Sequence, residues 1–291
     1  LTHDVLASDL PRVPLGDWFD KAVTWLTDHC GWLFDGIGSA VESVVDGLVD
    51  VLTFPPALVL TVILAVVALV LRGWKLALFT LVGFGLIDSM ELWEPAMDSL
   101  ALVLVAAVVA VVIAIPIGVL AARNDTVSRV VRPLLDLMQT MPAFVYLIPA
   151  IFFFSIGVVP GVVATVIFAL PPGVRLTELG IRGVDKEMVE AGEAFGAAPR
   201  KILGGVQVPL AMPSIMAGVN QLIMLSLSMV VIAGMVGAGG LGGVVLEGIN
   251  RVDIATGFEG GTAVVVLAIF LDRVTSALGD RTPVAKAAAR R

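Results

Sequence analysis

The chain has 291 residues, of which 58 % are hydrophobic and only 15 % charged, with a mean hydropathy of +1.01. A soluble domain carries about 25 % charged residues, so this composition excludes a water-soluble globule and points to an integral membrane protein. A formal charge of −7 leaves no basic footprint for nucleic acid, and the single cysteine, Cys30, excludes an intrachain disulfide framework.

The chain begins with an arm over residues 1–54. From Leu33 its apolar positions are Phe34, Ile37, Val41, Val44, Val45, Leu48 and Leu52, a 3.6-residue period, with Asp35, Glu42, Asp46 and Asp50 on the other face. This predicts an amphipathic helix, lying on the outer membrane surface or docked on the protein's own bundle. His29 and Cys30 are neighbours in this arm without further ligands, so no metal site is expected.

Crossing about 30 Å of hydrocarbon takes about 20 apolar residues in a helix. The first candidate span is 55–71, closed by Arg72 and Lys75. The second runs from Trp74 to Trp93, whose separation of about 28 Å at 1.5 Å per residue sets one ring at each interface. The third, 100–122, carries no charge. The uncharged stretch 137–174 is long enough for two spans with a hinge at 157–161, and its prolines are tolerated where neighbouring helices re-satisfy the backbone. A sixth span is expected from about residue 210 to 236, and a last one within 256–278.

Seven spans put the termini on opposite sides. With the N-terminus outside, only Arg12, Lys21 and Arg251 of the 18 basic residues fall outside, as the positive-inside rule requires. The resulting organisation is an extracytoplasmic arm over 1–54, a transmembrane region over 55–278 and a basic cytoplasmic tail over 279–291.

Several chemistries are missing. No lysine follows a glycine, so the chain has no phosphate-cradling G-x-x-x-x-G-K loop. Gly237, Gly239 and Gly242 fit G-x-G-x-x-G, but they follow a membrane helix rather than a strand, and a flexible or closely packed outer loop accounts for them. The centres of spans three to six hold no charge, which disfavours a proton-coupled carrier. No buried histidine, carboxylate pair or nucleophile with a visible base indicates an enzyme.

The large polar feature is the inner segment RLTELGIRGVDKEMVEAGEAFGAAPRK, 175–201, with Gly196 and Pro199 marking a turn between helical pieces. Within and after it stand Glu190, Ala191 and Gly192, then Gly196, then Val206, Gln207, Val208 and Pro209. This pattern resembles the Glu-Ala-Ala, three residues, Gly, nine residues, Ile-x-Leu-Pro signature of the permease subunits of ATP-binding-cassette importers. Gly192 departs from the third-position alanine, and valines replace the isoleucine and leucine. The segments QTMPAFVYLIPAIFFFSIG (139–157), IFALPPGVRLTELGI (167–181) and NQLIMLSLSMVVIAGMVGAGGLG (220–242) are similar to the glycine betaine/proline betaine permease family.

The resemblance implies an all-α type I importer permease fold and an importer of compatible solutes in a bacterial or archaeal plasma membrane. It also implies a second copy of the chain, cytoplasmic ATPase subunits that bind ATP-Mg, and an extracytoplasmic solute-binding protein; the chain itself needs no cofactor. On this basis 175–209 is the coupling loop, with Asp185, Glu190, Ala191, Gly192, Gly196 and Pro209 as its contact residues. An ordinary solvated acid remains the plain account of Glu190, and helix initiation that of Pro209. A quaternary ammonium is best held by aromatic faces, yet all the tryptophans precede the third span, so high-affinity recognition is expected in the separate binding protein. Gln139, Tyr146, Asn220 and Gln221 are the candidates for lining the passage here, with helix–helix hydrogen bonding as the alternative for the amides. An importer for choline, carnitine or an amino acid, or a secondary carrier, are the competing readings.

Overall fold

The computed structural model describes residues 14–280, and among these the chain is helical throughout. The elements are α1 (Leu15–Thr53), α2 (Ala57–Arg72), α3 (Trp74–Ser89), α4 (Trp93–Arg123), α5 (Asp125–Thr140), α6 (Ala143–Phe154) and α7 (Val158–Arg182), followed by α8 (Lys186–Ala194), α9 (Pro199–Ile202), α10 (Val208–Gly234), α11 (Gly240–Arg251) and α12 (Ile254–Asp280). A π-helical stretch, Leu203–Gln207, joins α9 to α10. The predicted basic tail, apart from Gly279 and Asp280, lies outside the described residues.

The centre of the fold is α7, held between α4 and α10. Small residues let these backbones approach closely, as membrane helices without a hydrophobic driving force between them require. A Cβ on Gly118 of α4 would lie 2.7 Å from the carbonyl oxygen of Val174, and one on Gly173 would lie 2.9 Å from Cβ of Ala114. On the other side Gly161 faces Ala233, Gly180 faces Ser214, and Gly218 faces Leu176. These contacts also fix direction: α4 and α7 run parallel, and α10 runs back between the same two ends. The alanines of α4 (Ala96, Ala101, Ala106, Ala110, Ala114) are fully buried against this seam.

Around this core α12 packs on α10, α11, α2 and α3. The α2–α3 hairpin turns at Gly73, whose φ of 91° suits only glycine at low strain. Its outer face carries exposed Leu58, Val62, Val66, Leu69, Val70, Leu78 and Val82, an apolar surface that fits a lipid environment rather than water.

Helix α1 is longer than the 33–52 period indicates, reaching back to Leu15 over 39 residues. It docks on the bundle: Val45 is buried, and Phe34 stacks on Phe153 at 4.4 Å and meets Phe154 edge-on at 5.7 Å. It meets α2 at a bend of 98° across Phe54–Pro56.

Among the described residues four helices are long and apolar enough to cross a membrane: α4, α7, the continuous rod Pro199–Gly234, and α12. The remaining predicted spans are shorter helices. α2 and α3 have 16 residues each and α6 has 12, and counting each bent pair as one span gives up to six crossings. Within 137–174 the break falls at Ser155–Gly157, slightly ahead of the expected hinge, with positive φ at Ser155 and Gly157. Residues up to Thr140 belong to α5, which is bent by 100° from α6. Pro142 stands at that bend as the residue before α6, where its fixed φ and missing N–H do no harm.

The sixth predicted span begins earlier than residue 210. The helix runs through Pro209 from Pro199, because the wide π-turn containing Gly204 and Gly205 absorbs the clash that a proline makes with the carbonyl four residues before it. Pro209 therefore lies inside a rod rather than opening one.

Candidate functional site

The site is assembled at the end of the bundle where α4 and α7 finish. After Arg182 the chain turns through Gly183 and Val184 into α8, whose N-terminus is capped by Asp185: its carboxylate accepts from the backbone N–H of Glu187 at 3.1 Å. The far end of α8 closes with a Schellman motif. The N–H of Gly196 donates to Glu193 O at 2.8 Å and that of Ala197 to Gly192 O at 3.1 Å. Gly196 has φ 73°, the left-handed conformation this motif needs at the residue after the cap. Pro199 then opens α9 at its first position.

Glu190, Ala191 and Gly192 thus sit on α8, Gly196 makes the sharp turn, and Pro209 lies on the rod beyond. Gly192 rests over the buried Ile202, and an added Cβ would lie 3.3 Å from its Cγ1. Glu190 and Glu193 border a cavity of about 420 Å³ shared with Arg123, Arg182, Lys186 and Gln207. At the tip, Phe195 is 92 % exposed. Among the described residues this ring, held out on a tight turn, stacks on no other aromatic, and its sequence surroundings gave no sign of it.

Above α8 stands a charge network. Glu178 is buried, and its Oε1 accepts from Ser128 Oγ at 2.7 Å, Arg132 Nη2 at 2.9 Å and Arg182 Nε at 3.1 Å. Arg182 also donates to Asp125 at 2.8 Å and to the Ala121 carbonyl at 2.7 Å. Arg175 pairs with Asp136. A buried carboxylate is tolerable only when so compensated. The signal was present in the sequence: Arg175, Glu178 and Arg182 at spacings of three and four share one helix face, as do Asp125, Ser128, Arg132 and Asp136.

The four residues expected to line a passage are not gathered together. Tyr146 is buried in α6, donates its hydroxyl to the Met138 carbonyl, and meets Phe168 edge-on at 6.3 Å. Asn220 faces α12, donating to Asp272 at 3.1 Å and accepting from Thr275 at 2.7 Å. Asn220 also lines a cavity of about 280 Å³ with Pro213, Met216 and Ser276. Gln139 and Gln221 are exposed. Among the described residues there is no group of three His, Cys, Asp or Glu side chains that could hold a metal.

At the opposite end the glycine-rich stretch is a packing device. A Cβ on Gly234 would lie 2.3 Å from the carbonyl carbon of Gly242, so α10 and α11 cross backbone against backbone. The N–H of Leu241 donates to Ser99 Oγ at 2.8 Å. Here Asp253 stands just before α12, and its carboxyl lies below the usual range because the Thr256 hydroxyl and the N–H groups of Thr256 and Ala255 donate to it.

The charges divide between the two ends. Arg123, Arg182, Lys186, Arg200 and Lys201 lie on or beside α8, and Arg72, Lys75 and Arg273 line one cavity at that end of α12. Comparison with known proteins agrees with this architecture. The chain is 52 % identical over 266 residues to the glycine betaine transport system permease protein OpuAB of Bacillus subtilis (strain 168), covering 91 % of this chain and 94 % of that one. It is 47 % identical over 267 residues to the glycine betaine/proline betaine transport system permease protein ProW of Escherichia coli (strain K12), covering 92 % and 75 %. To the glycine betaine/carnitine transport permease protein GbuB of Listeria monocytogenes (serotype 1/2a, strain 10403S) it is 45 % identical over 281 residues, covering 94 % and 98 %. A solved structure of the MetNI methionine ABC transporter in an inward-facing conformation superposes with a TM-score of 0.57 at 25 % identity, covering 67 % of this chain and 95 % of that one. Residues 114–282 match the model of the binding-protein-dependent transport system inner membrane component, and with these relatives they show that the chain is a multi-pass membrane protein belonging to that family of importer permeases.

Proposed function

We propose that this chain is the permease subunit of an ATP-driven importer of glycine betaine and proline betaine. The observation that carries the reading is α8: a capped helix with a tight glycine turn and an exposed aromatic tip, on a chain whose relatives over more than nine-tenths of its length are named for these solutes. Residues 1–54 form the arm, 55–278 the permease and 175–209 its coupling loop. Two copies pair, a cytoplasmic ATPase receives each α8, and a separate binding protein delivers the solute at the opposite end.

In this mechanism Phe195 enters a groove of the ATPase and Glu190 meets a basic group at its rim. Asp185 and Gly196 hold α8 at its two ends, Gly192 keeps it close to Ile202, and Pro209 with the π-turn sets where the rod can flex. Closure of the ATP-bound motor draws the two α8 helices together and tilts the bundles. The motor alone hydrolyses ATP. The concentration of arginine and lysine around α8 supports a cytoplasmic position for that end, with the N-terminus outside. Gln139 and Gln221 present amides to the passage, while Tyr146 and Asn220 shape it from behind.

The test is labelled glycine betaine uptake in cells lacking other betaine transporters, with all subunits expressed. Gly196→Val forces a β-branched residue into left-handed backbone, a strain of about 1–3 kcal/mol. Uptake in the parent that disappears with Gly196→Val, at equal membrane levels, is the expected result. Uptake independent of the ATPase subunit, or indifferent to the substitution, would sink the coupling role. ATP-dependent uptake of choline or carnitine in place of betaine would retain the importer and reassign its solute.

A further inference from the structure

The charge network above α8 has an order that the transport reading does not use. Along α5 the face toward α7 reads Asp125, Ser128, Arg132, Asp136; along α7 it reads Arg182, Glu178, Arg175. The pairs are Asp125 with Arg182, Arg132 with Glu178, and Asp136 with Arg175. Signs alternate on both helices, and the helices run antiparallel. A slip of one turn in one direction sets Arg132 against Arg175. A slip the other way sets Asp136 against Glu178 and Arg132 against Arg182. Every neighbouring register therefore brings like charges together, which is unfavourable on facing helices as it is along one, and sharply so around a buried carboxylate.

The rest of α5 offers little to hold it. Leu135 is buried and Val131 and Met138 pack on the core, but Val130, Leu134 and Leu137 are more than half exposed. The ladder thus decides where α5 sits. Its two ends lead to different places. Arg182 is the last residue of α7, directly before the turn into α8, and it also grips the last turn of α4 through the Ala121 carbonyl. At the other end α5 meets the 100° bend into α6, where the Tyr146 hydroxyl bonds back to Met138.

We propose that this alternating ladder locks α5 to α7 as one body, so that movement imposed on α8 is delivered to the α5–α6 bend, with Glu178, Arg182, Arg132, Arg175 and Asp136 as positioning residues. The proposal rests on the transport reading above. It assigns α5 a mechanical role: the helix carries displacement across the base of the bundle without itself touching the motor.

The experiment uses the complete transporter, with its ATPase and binding protein, in liposomes, and reads ATP hydrolysis and betaine uptake together. The variants are Asp136→Arg, Arg175→Asp and the double exchange of both, because this pair has no other charged partner in the ladder. Each single reversal is expected to keep hydrolysis within about twofold while uptake per ATP falls about tenfold or more, and the exchange to restore the ratio to within about threefold. Glu178→Gln is expected to lower the same ratio. A purely structural role would lower hydrolysis and uptake in parallel and leave their ratio fixed, which overturns the proposal. An exchange that assembles but stays uncoupled also overturns it, even where a single reversal does not assemble. A parent complex with no ATP-driven uptake brings down the transport reading and this linkage together; a parent that transports, with variants that stay coupled, brings down the linkage alone.

Discussion

The crossing of α10 and α11 permits a sharp test with an internal control. Gly242 and Gly243 are adjacent in the first turn of α11. A Cβ on Gly242 would lie 2.4 Å from Val230 O and 3.0 Å from Val231 Cα, both main-chain atoms of α10, whereas one on Gly243 meets nothing within 4 Å. Alanine raises helix propensity by up to about 1 kcal/mol at either position, so that gain cancels between the two variants. What remains is the overpacking penalty at Gly242, about 1–3 kcal/mol because backbone cannot swing aside as a side chain does. At about 2–4 °C per kcal/mol for a chain of this size, Gly242→Ala should melt several degrees below Gly243→Ala, followed by tryptophan fluorescence in detergent. Gly234→Ala, built against the same contact, should fall with Gly242→Ala. Equal melting temperatures for the adjacent pair would refute the backbone-to-backbone crossing.

Other outcomes follow from the same geometry. Phe195→Ala should leave the melting temperature of the permease unchanged, since the ring is almost wholly exposed, yet weaken co-purification of the ATPase; unaltered capture would remove Phe195 from the docking surface. Gly192→Ala brings a methyl to 3.3 Å from Ile202, a contact a side chain can ease, so uptake should persist with a stability change of about 1 kcal/mol or less. Asn220→Ala breaks the bonds to Asp272 and Thr275 and should cost about 0.6–1.7 kcal/mol, the range for intramembrane hydrogen bonds, measured by thermal unfolding. Asp253→Ala should lower the melting temperature at neutral pH. Because hydrogen bonding depresses the folded pKa of Asp253, its contribution is complete above the ordinary carboxylate pKa of about 3.9 and is lost as pH falls through the lower folded value. Parent and variant melts should therefore converge in strong acid.

How much of this was legible in the sequence depended on the kind of signal. Uncharged stretches located α4, α7, α10 and α12, because a long apolar run in a membrane protein has few alternatives to a helix. The turn after α8 was legible through Gly196 and Pro199, and Gly196 takes the left-handed conformation there, at φ 73°. The ends were harder. Pro209 reads as a helix start, yet the two glycines before it let the helix widen and continue, a compensation that periodicity does not display. The bend at Pro142 was hidden because α5 and α6 join without a charged residue between them. Asn220 and Tyr146 looked like lining residues by chemistry alone, and only their partners Asp272, Thr275 and the Met138 carbonyl reveal that their polar atoms are engaged within the chain. Conversely, Glu178 was passed over as one acid in a charged segment. Its burial follows from the arginines of two helices, a fact that belongs to the pairing of elements and not to either one.

The α2–α3 hairpin has a consequence for the surrounding lipid. Each of its helices has 16 residues, about 24 Å at 1.5 Å per residue, against a hydrocarbon core of about 30 Å. Tilting cannot make up the deficit, because it shortens the projected length further. For either helix to cross by itself, the lipid beside it has to thin by several ångströms, at a fraction of a kcal/mol per ångström, while α4 on the same chain exceeds the full thickness. A crossing there would set one flank of the protein in a dimple of its own making. Acyl-chain length would then act on this flank first, beside the close α3–α12 contact at Gly83 and Val266.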